Sequence, residues 1–170
     1  MGDYFNAITD EQAELIRLSR LFFVATADPT LGEGPHGIGP VNVSPRGAVP
    51  LHILSPTRVA FIDYHGSGDE IARHARAGGP VTVMVCSFDE NAAIVRLYGK
   101  ATATPFEESP LAEQLAQGME GIIKHPRQVI EVAVQRTSTS CGYRVPLMNF
   151  DHDRTVTERG KRFKPKVAGV

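Results

Sequence analysis

Tryptophan is absent from the chain and cysteine occurs only twice. Cys86 falls in a stretch that reads as a buried strand and Cys141 in a polar loop, with no CxxC spacing. A disulfide framework and a zinc site are therefore both unexpected, and the two residues read as thiols. An excess of either charge is missing too: 18 Lys and Arg face 19 Asp and Glu, for a net charge of −1. The basic residues are scattered, so no nucleic-acid or membrane-surface partner is expected. No apolar run approaches the length of a membrane span, and Met1 to Ala13 lacks the basic-then-apolar pattern of a signal peptide. The expectation is a cytoplasmic protein. No GxGxxG bridges a strand and a helix, and GxxxxGK[ST], HExxH and GxSxG are missing. The six histidines are too dispersed for a metal cluster.

What is present suits one domain over residues 1–170, with a core at about 21–150 and a charged tail at 151–170. Thr9 and Gln12 form a capping box ahead of a helix to Arg20. Leu21 to Ala27 switches to a strand pattern. Asp28 to Pro40 carries too much glycine and proline for regular structure and reads as a surface loop. Val41 to Arg46 (VNVSPR) is a strand with Val41 and Val43 on one face and Asn42 and Ser44 on the other, and Pro45 puts it at an edge or bend. Leu51 to Leu54 is a short apolar piece. Val81 to Phe88 and Ala92 to Ala103 read as antiparallel strands joined around Asp89-Glu90-Asn91, the second with Arg96 and Tyr98 on its polar face. Pro105 to Ile123 reads as a helix, Val129 to Val134 as a strand and Arg136 to Tyr143 as a polar turn. Six or more strands with three helices and short connections favour an antiparallel barrel with peripheral helices over a doubly wound sheet.

The stretch from Arg58 to Val85 is the most informative. Arg58 to Asp63 is a largely buried strand. The glycine-rich turn His65-Gly66-Ser67-Gly68 follows, and Ser67 with Glu70 matches a capping box, so a helix starts just after Ser67. Ile71, Ala72 and Ala75 face inward, Arg73 and Arg76 outward, and Gly78-Gly79-Pro80 ends the helix. Free N–H groups at such a helix start can bind a phosphate. Alternatively Ser67 and Glu70 satisfy those donors, and Asp69 and Glu70 repel an anion.

Three further side chains have chemistry to offer. Arg46 could fork onto a phosphate or be a plain surface guanidinium. Arg96 could face a site or be a paired core arginine. Cys141 as a nucleophile needs a base that cannot be placed, and otherwise reads as a small thiol packed beneath a turn.

Taken together and in order, VNVSPRG, AFIDYHGSGDEIARH, IVRLYGKA and TSCGYRVP resemble the pyridoxamine 5'-phosphate oxidase-like split-barrel flavoproteins, from about Leu21 to Phe150. The resemblance implies a homodimer of six-stranded antiparallel split β-barrels, mainly β with peripheral helices, with FMN in two clefts at the subunit interface. It implies that the strand holding Asn42, Val43 and Ser44 lies along the flavin ring and ends with Arg46 on the phosphate. Ile62 and Asp63 would supply the second contacting strand, Ser67 and Gly68 the phosphate turn. Arg96, Tyr143 and Arg144 are candidate lining residues, the last two either against the partner's flavin or in a loop that merely closes the barrel. The chain departs from the oxidase that names the family, which carries two basic residues directly after the serine. Here Gly68 and Asp69 stand in those places, so phosphate affinity would rest on Arg46, backbone amides and Arg73. That oxidase's C-terminal substrate pattern is also not visible, so pyridoxamine phosphate oxidation is not expected. The resemblance implies an FMN-dependent oxidoreductase acting on a small molecule with an electron donor. The alternatives are an F420-dependent reductase on the same fold, or a flavin- or haem-binding module without turnover.

Overall fold

The computed structural model describes residues 2–34, 37, 39–66, 68–119, 125–155 and 158. In chain order the elements are β1 (Asp3–Phe5), α1 (Asp10–Leu18), β2 (Leu21–Ala27), β3 (Val41–Gly47), β4 (His52–Ser55), β5 (Arg58–Tyr64), α2 (Glu70–Arg76), β6 (Pro80–Cys86), β7 (Ile94–Pro105), α3 (Ala112–Ala116) and β8 (Pro126–Ser140). The fold is mainly β with peripheral helices, and it has eight strands rather than six. The two additional strands are short: β1, which adds to β8, and β4, which hairpins onto β5. Every pairing is antiparallel, and the strand order is β3-β2-β6-β7-β8-β5-β4.

Period-two alternation drives the curl of this sheet. Phe22, Val24, Val81, Val83, Val85, Val95 and Leu97 point inward and are buried, while most of their neighbours along each strand are half-buried. Phe22 of β2 and Phe61 of β5 are not on paired strands, yet their rings meet edge to face at 5.2 Å. The sheet therefore closes over a shared interior. β5 is covered on both sides. Val59 and Phe61 join the main core, whereas Ala60 and Ile62 pack in a second cluster with Ala112 and Leu115 of α3. That double burial explains why its sequence reads as a continuous apolar run.

Several expectations need correction. Arg136 to Ser140 is not a turn but the end of the 15-residue β8, where the alternating Thr and Ser residues pair with β7. The helix expected over Pro105 to Ile123 is a 3-10 turn at Phe106–Glu108 followed by the five-residue α3, because Ser109-Pro110 interrupts it. Its last part, with Ile122, lies outside the described residues, as does most of the tail after Thr155. The capping box of α1 is present: Thr9 Oγ1 accepts from Gln12 N at 3.3 Å, and Thr9 N donates to Gln12 Oε1 at 3.2 Å. That of α2 is not the one expected. Its N-cap is Asp69, which makes no side-chain cap bond, and Ser67 lies outside the described residues.

Register slips place two special features. Between Tyr98 and Gly99 the β7–β8 ladder shifts, and a Cβ at Gly99 would collide with the Ala133 carbonyl, so only glycine permits that approach. A second slip, between Asp63 and Tyr64, pairs Asp63 with Gln128 and Tyr64 with Pro126. Arg127 is the residue skipped. It is the extra residue of a β-bulge, a device that re-aims a side chain.

Candidate functional site

The site is built where the two sides of the curl meet without a ladder. β3 is an edge strand, and its alternation turns Asn42, Ser44 and Arg46 toward the barrel mouth. Val41 and Val43 face out, at 63% and 62% exposure. Asn42 and Ser44 hydrogen-bond to each other at 3.2 Å. From the opposite wall comes Asp63, at the end of β5 on the same side as Phe61 and fully buried. A buried carboxylate needs charge partners, and Asp63 has two. Arg46 Nη1 lies 2.6 Å from its Oδ1, and Arg127 Nη2 lies 2.6 Å from its Oδ2. Gln128 Nε2 also donates to Oδ2, at 2.8 Å. The Arg46 contact is off the hydrogen-bond axis, so it acts as an ion pair and leaves Oδ1 without a formal donor among the described residues.

Arg127 also ties down the glycine turn. Both of its terminal nitrogens donate to the Gly68 carbonyl at 3.1 Å. Next to it, Asp69 accepts from Gln128 at 3.0 Å and pairs with Arg76 at 3.2 Å and with Arg127 at 3.3 Å. The carboxylate of Glu70 lies over Gly68, in the space a Cβ would need. Asp69 and Glu70 thus occupy the start of α2, and with only seven residues that helix is no anion site.

These residues line a cleft of about 400 Å³, with Asn42, Ser44, Arg46, Asp63, Gly68 and Arg127 on its walls. Its decisive feature is what stays unpaired. Arg46 Nε and Arg127 Nε are both buried and have no hydrogen-bond partner among the described residues. Buried unpaired donors are costly and rare. Two guanidiniums share the buried Asp63, and Asp69, 3.3 Å from Arg127 Nη2, and Glu70 also stand on the cleft wall, so the cleft holds no excess of positive charge. The two unpaired Nε donors are the groups on these walls that an oxyanion could satisfy.

Of the residues singled out from sequence, Asn42, Ser44, Arg46, Asp63 and Gly68 come together at the cleft. The surface reading of Arg46 is overturned, since its side chain is only 15% exposed. Several others lie elsewhere. The Val43 side chain is on the outer face of β3, and that of Ile62 is on the far side of β5 beneath α3. Arg96 is on the outer face of β7, donating to Ser140 Oγ at 3.2 Å. Tyr143 and Arg144 are exposed beyond β8, the guanidinium 5.7 Å from the ring. Cys141 is exposed rather than packed under a turn. Arg73 is committed elsewhere, to Asp28 at 3.2 Å and to His74 at 3.0 Å. Sequence reasoning missed Arg127 and Gln128, because the start of β8 carries no pattern that reveals a bulge.

Residues 8–141 match the family described as pyridoxamine 5'-phosphate oxidase. The chain belongs to that family. The pyridoxamine 5'-phosphate oxidase family protein ustO of Aspergillus flavus is 30% identical over 161 residues, which is 93% of this chain. The chain spans 61% of the length of that relative. Among solved structures, HupZ from Group A Streptococcus superposes with a TM-score of 0.57 at 21% identity, covering 76% of this chain and 91% of that one. A putative pyridoxamine 5'-phosphate oxidase from Lactobacillus delbrueckii gives 0.56 at 18% identity, covering 78% and 94%. An FAD-binding protein from Mesorhizobium loti gives 0.53 at 13% identity, covering 82% and 96%. At these identities the structures speak for the fold. Among the described residues no helix is long and apolar enough to cross a membrane.

Proposed function

We propose that the protein is an FMN-dependent oxidoreductase that works as a homodimer, with the flavin phosphate in the cleft between β3 and β5. The single observation that carries this reading is the pair of buried, unpartnered Nε donors on Arg46 and Arg127, which suit a phosphate monoester. Family membership supports the flavin, and the exposed Val41 and Val43 on the edge strand support a second copy packed there.

When bound, a flavin supplies hydride transfer at its ring. The chain's own residues bind and orient it. Arg46 and Arg127 hold the anionic end, Asp63 keeps both guanidiniums in place, and Asn42 and Ser44 present polar groups along the cleft wall. Among the described residues that line the cleft no histidine or cysteine is found, consistent with a protein that positions the reactants and leaves the chemistry to its cofactor.

Purified protein should be yellow or take up FMN, and Arg46→Ala should weaken that binding. A colourless protein that gains no flavin on reconstitution refutes the reading. Extraction and mass spectrometry of the bound molecule distinguish FMN from F420, FAD or haem. Sustained turnover with NADH or NADPH and an added acceptor separates an enzyme from a binding module.

A further inference from the structure

Resting on the phosphate reading of the same cleft, we propose that Arg127 is its second anion-recognising guanidinium. By gripping the Gly68 carbonyl, it also couples anion binding to the conformation of the turn before α2.

The turn before α2 lacks a cation. After Ser67 the chain has Gly68 and Asp69, so the turn contributes no cation and one carboxylate. Neither arginine of α2 compensates: Arg73 is held by Asp28 and His74, and Arg76 by Asp69 and Gln128. The second charge comes instead from β8. The slip between Asp63 and Tyr64 pushes Arg127 out of the ladder and into the cleft. There its donors divide by direction. The two terminal nitrogens are spent on Asp63, on Gly68 and, at 3.3 Å, on Asp69. Nε is left buried and unsatisfied.

Such a residue is bound to two things at once. An anion that draws on Nε fixes the guanidinium plane, and that plane fixes the Gly68 carbonyl. Lysine could keep the charge near Asp63 but has no fork with which to grip the turn and face the cleft together.

The test compares wild type with R127K and R127Q, titrating each with FMN, with riboflavin, which lacks the phosphate, and with inorganic phosphate. Amide hydrogen exchange over residues 62–72 is followed in parallel. The expected result is that both variants lose about tenfold to a hundredfold in FMN affinity, the scale of a charged hydrogen bond. Riboflavin affinity should stay within about twofold, within the scatter of a surface change. FMN or phosphate should slow exchange at the turn in wild type and not in the variants. R127K, which keeps a cation beside Asp63, guards against a variant that merely fails to fold.

If the variants weaken FMN and riboflavin alike, or weaken neither, Arg127 has no part in phosphate recognition and the proposal is overturned while the flavin reading survives. If wild type binds neither flavin, yet phosphate protects the turn and R127Q abolishes that protection, the proposal stands and the flavin reading falls. If wild type responds to none of the three probes, both fall.

Discussion

Two buried polar clusters sit on either side of α2, and they differ in how completely their groups are paired. On one side His74 is buried against β2, its Nδ1 2.8 Å from Thr26 Oγ1 and its Nε2 3.0 Å from Arg73 Nη2. Arginine can only donate, so Nε2 is the acceptor, and Nδ1 carries the hydrogen given to Thr26. Arg73 then reaches Asp28, whose other oxygen accepts from Thr30. That carboxyl is held below its ordinary value, first by the Thr30 hydroxyl. Both ring nitrogens are satisfied there. On the other side Asp63 draws in Arg46 and Arg127, and each guanidinium keeps a buried Nε with no partner among the described residues. The satisfied cluster is a structural tether between α2, β2 and the loop after it. The unsatisfied one has the donors of a binding site.

The largest effect expected from breaking this contrast is on stability. Asp63→Ala leaves two guanidiniums facing each other without the carboxylate between them, and should cost about 3–5 kcal/mol in urea unfolding. Thr26→Val removes one neutral hydrogen bond from the other cluster and should cost about 1–3 kcal/mol. Equal costs would mean that Asp63 is not the pivot of its cluster.

Next in size is a difference in binding. Arg46→Ala should lower FMN affinity by about a hundredfold at most, through loss of a charged donor. Arg73→Ala should leave FMN affinity unchanged and instead speed hydrogen exchange around Asp28 to Thr30. An Arg73 variant that binds FMN poorly would erase the distinction between the two clusters.

How far this contrast could be read from sequence depends on separation along the chain. The strand edges, the alternation of VNVSPR and the turn at Gly68 are local patterns, and Arg46 and Gly68 were accessible through them, whereas Asp63 entered as a site residue only through the family resemblance. Arg127 was not, because only the register slip against β5 aims it, and register is a property of two strands about 60 residues apart. His74 was missed for a similar reason. Helical spacing places it between Ile71 and Ala75, but only the packed β2 reveals that its ring is enclosed. Strand β1 escaped, and the apolar piece at Leu51 to Leu54 that overlaps β4 was not assigned as a strand, because each is too short to show a period.

A pH experiment sharpens the comparison further. Burial, and secondarily the charge of Arg73, pushes His74 below its ordinary 6.5. Burial does the same to His52, whose Nε2 has no partner among the described residues. A lowered histidine means that the unfolded chain takes up protons first. The stability it permits is therefore complete above pH 6.5 and declines as the pH falls below it. Chemical denaturation from about pH 7.5 to about pH 5 should show that decline. His74→Gln, which can still accept from Arg73 and donate to Thr26, should flatten part of it. A variant as pH-sensitive as wild type would place the titration elsewhere.

The smallest expected effect comes from an ion pair of the same chemistry as Arg46 and Asp63 but without their burial. Arg58 and Glu131 meet across β5 and β8 at 2.7 Å, a geometry nearly as close as at the cleft, with side chains 50% and 31% exposed. The Glu131 contact raises the Arg58 pKa, which only keeps an already permanent charge in place. Water solvates both groups whether or not they pair, so the attraction is screened and is offset by the ordering of two long side chains. A double-mutant cycle with Arg58→Gln and Glu131→Gln should give only a weak coupling that fades with added salt. The corresponding cycle at Arg46 and Asp63 should give several times more and hold in salt, because desolvation and not distance sets the scale.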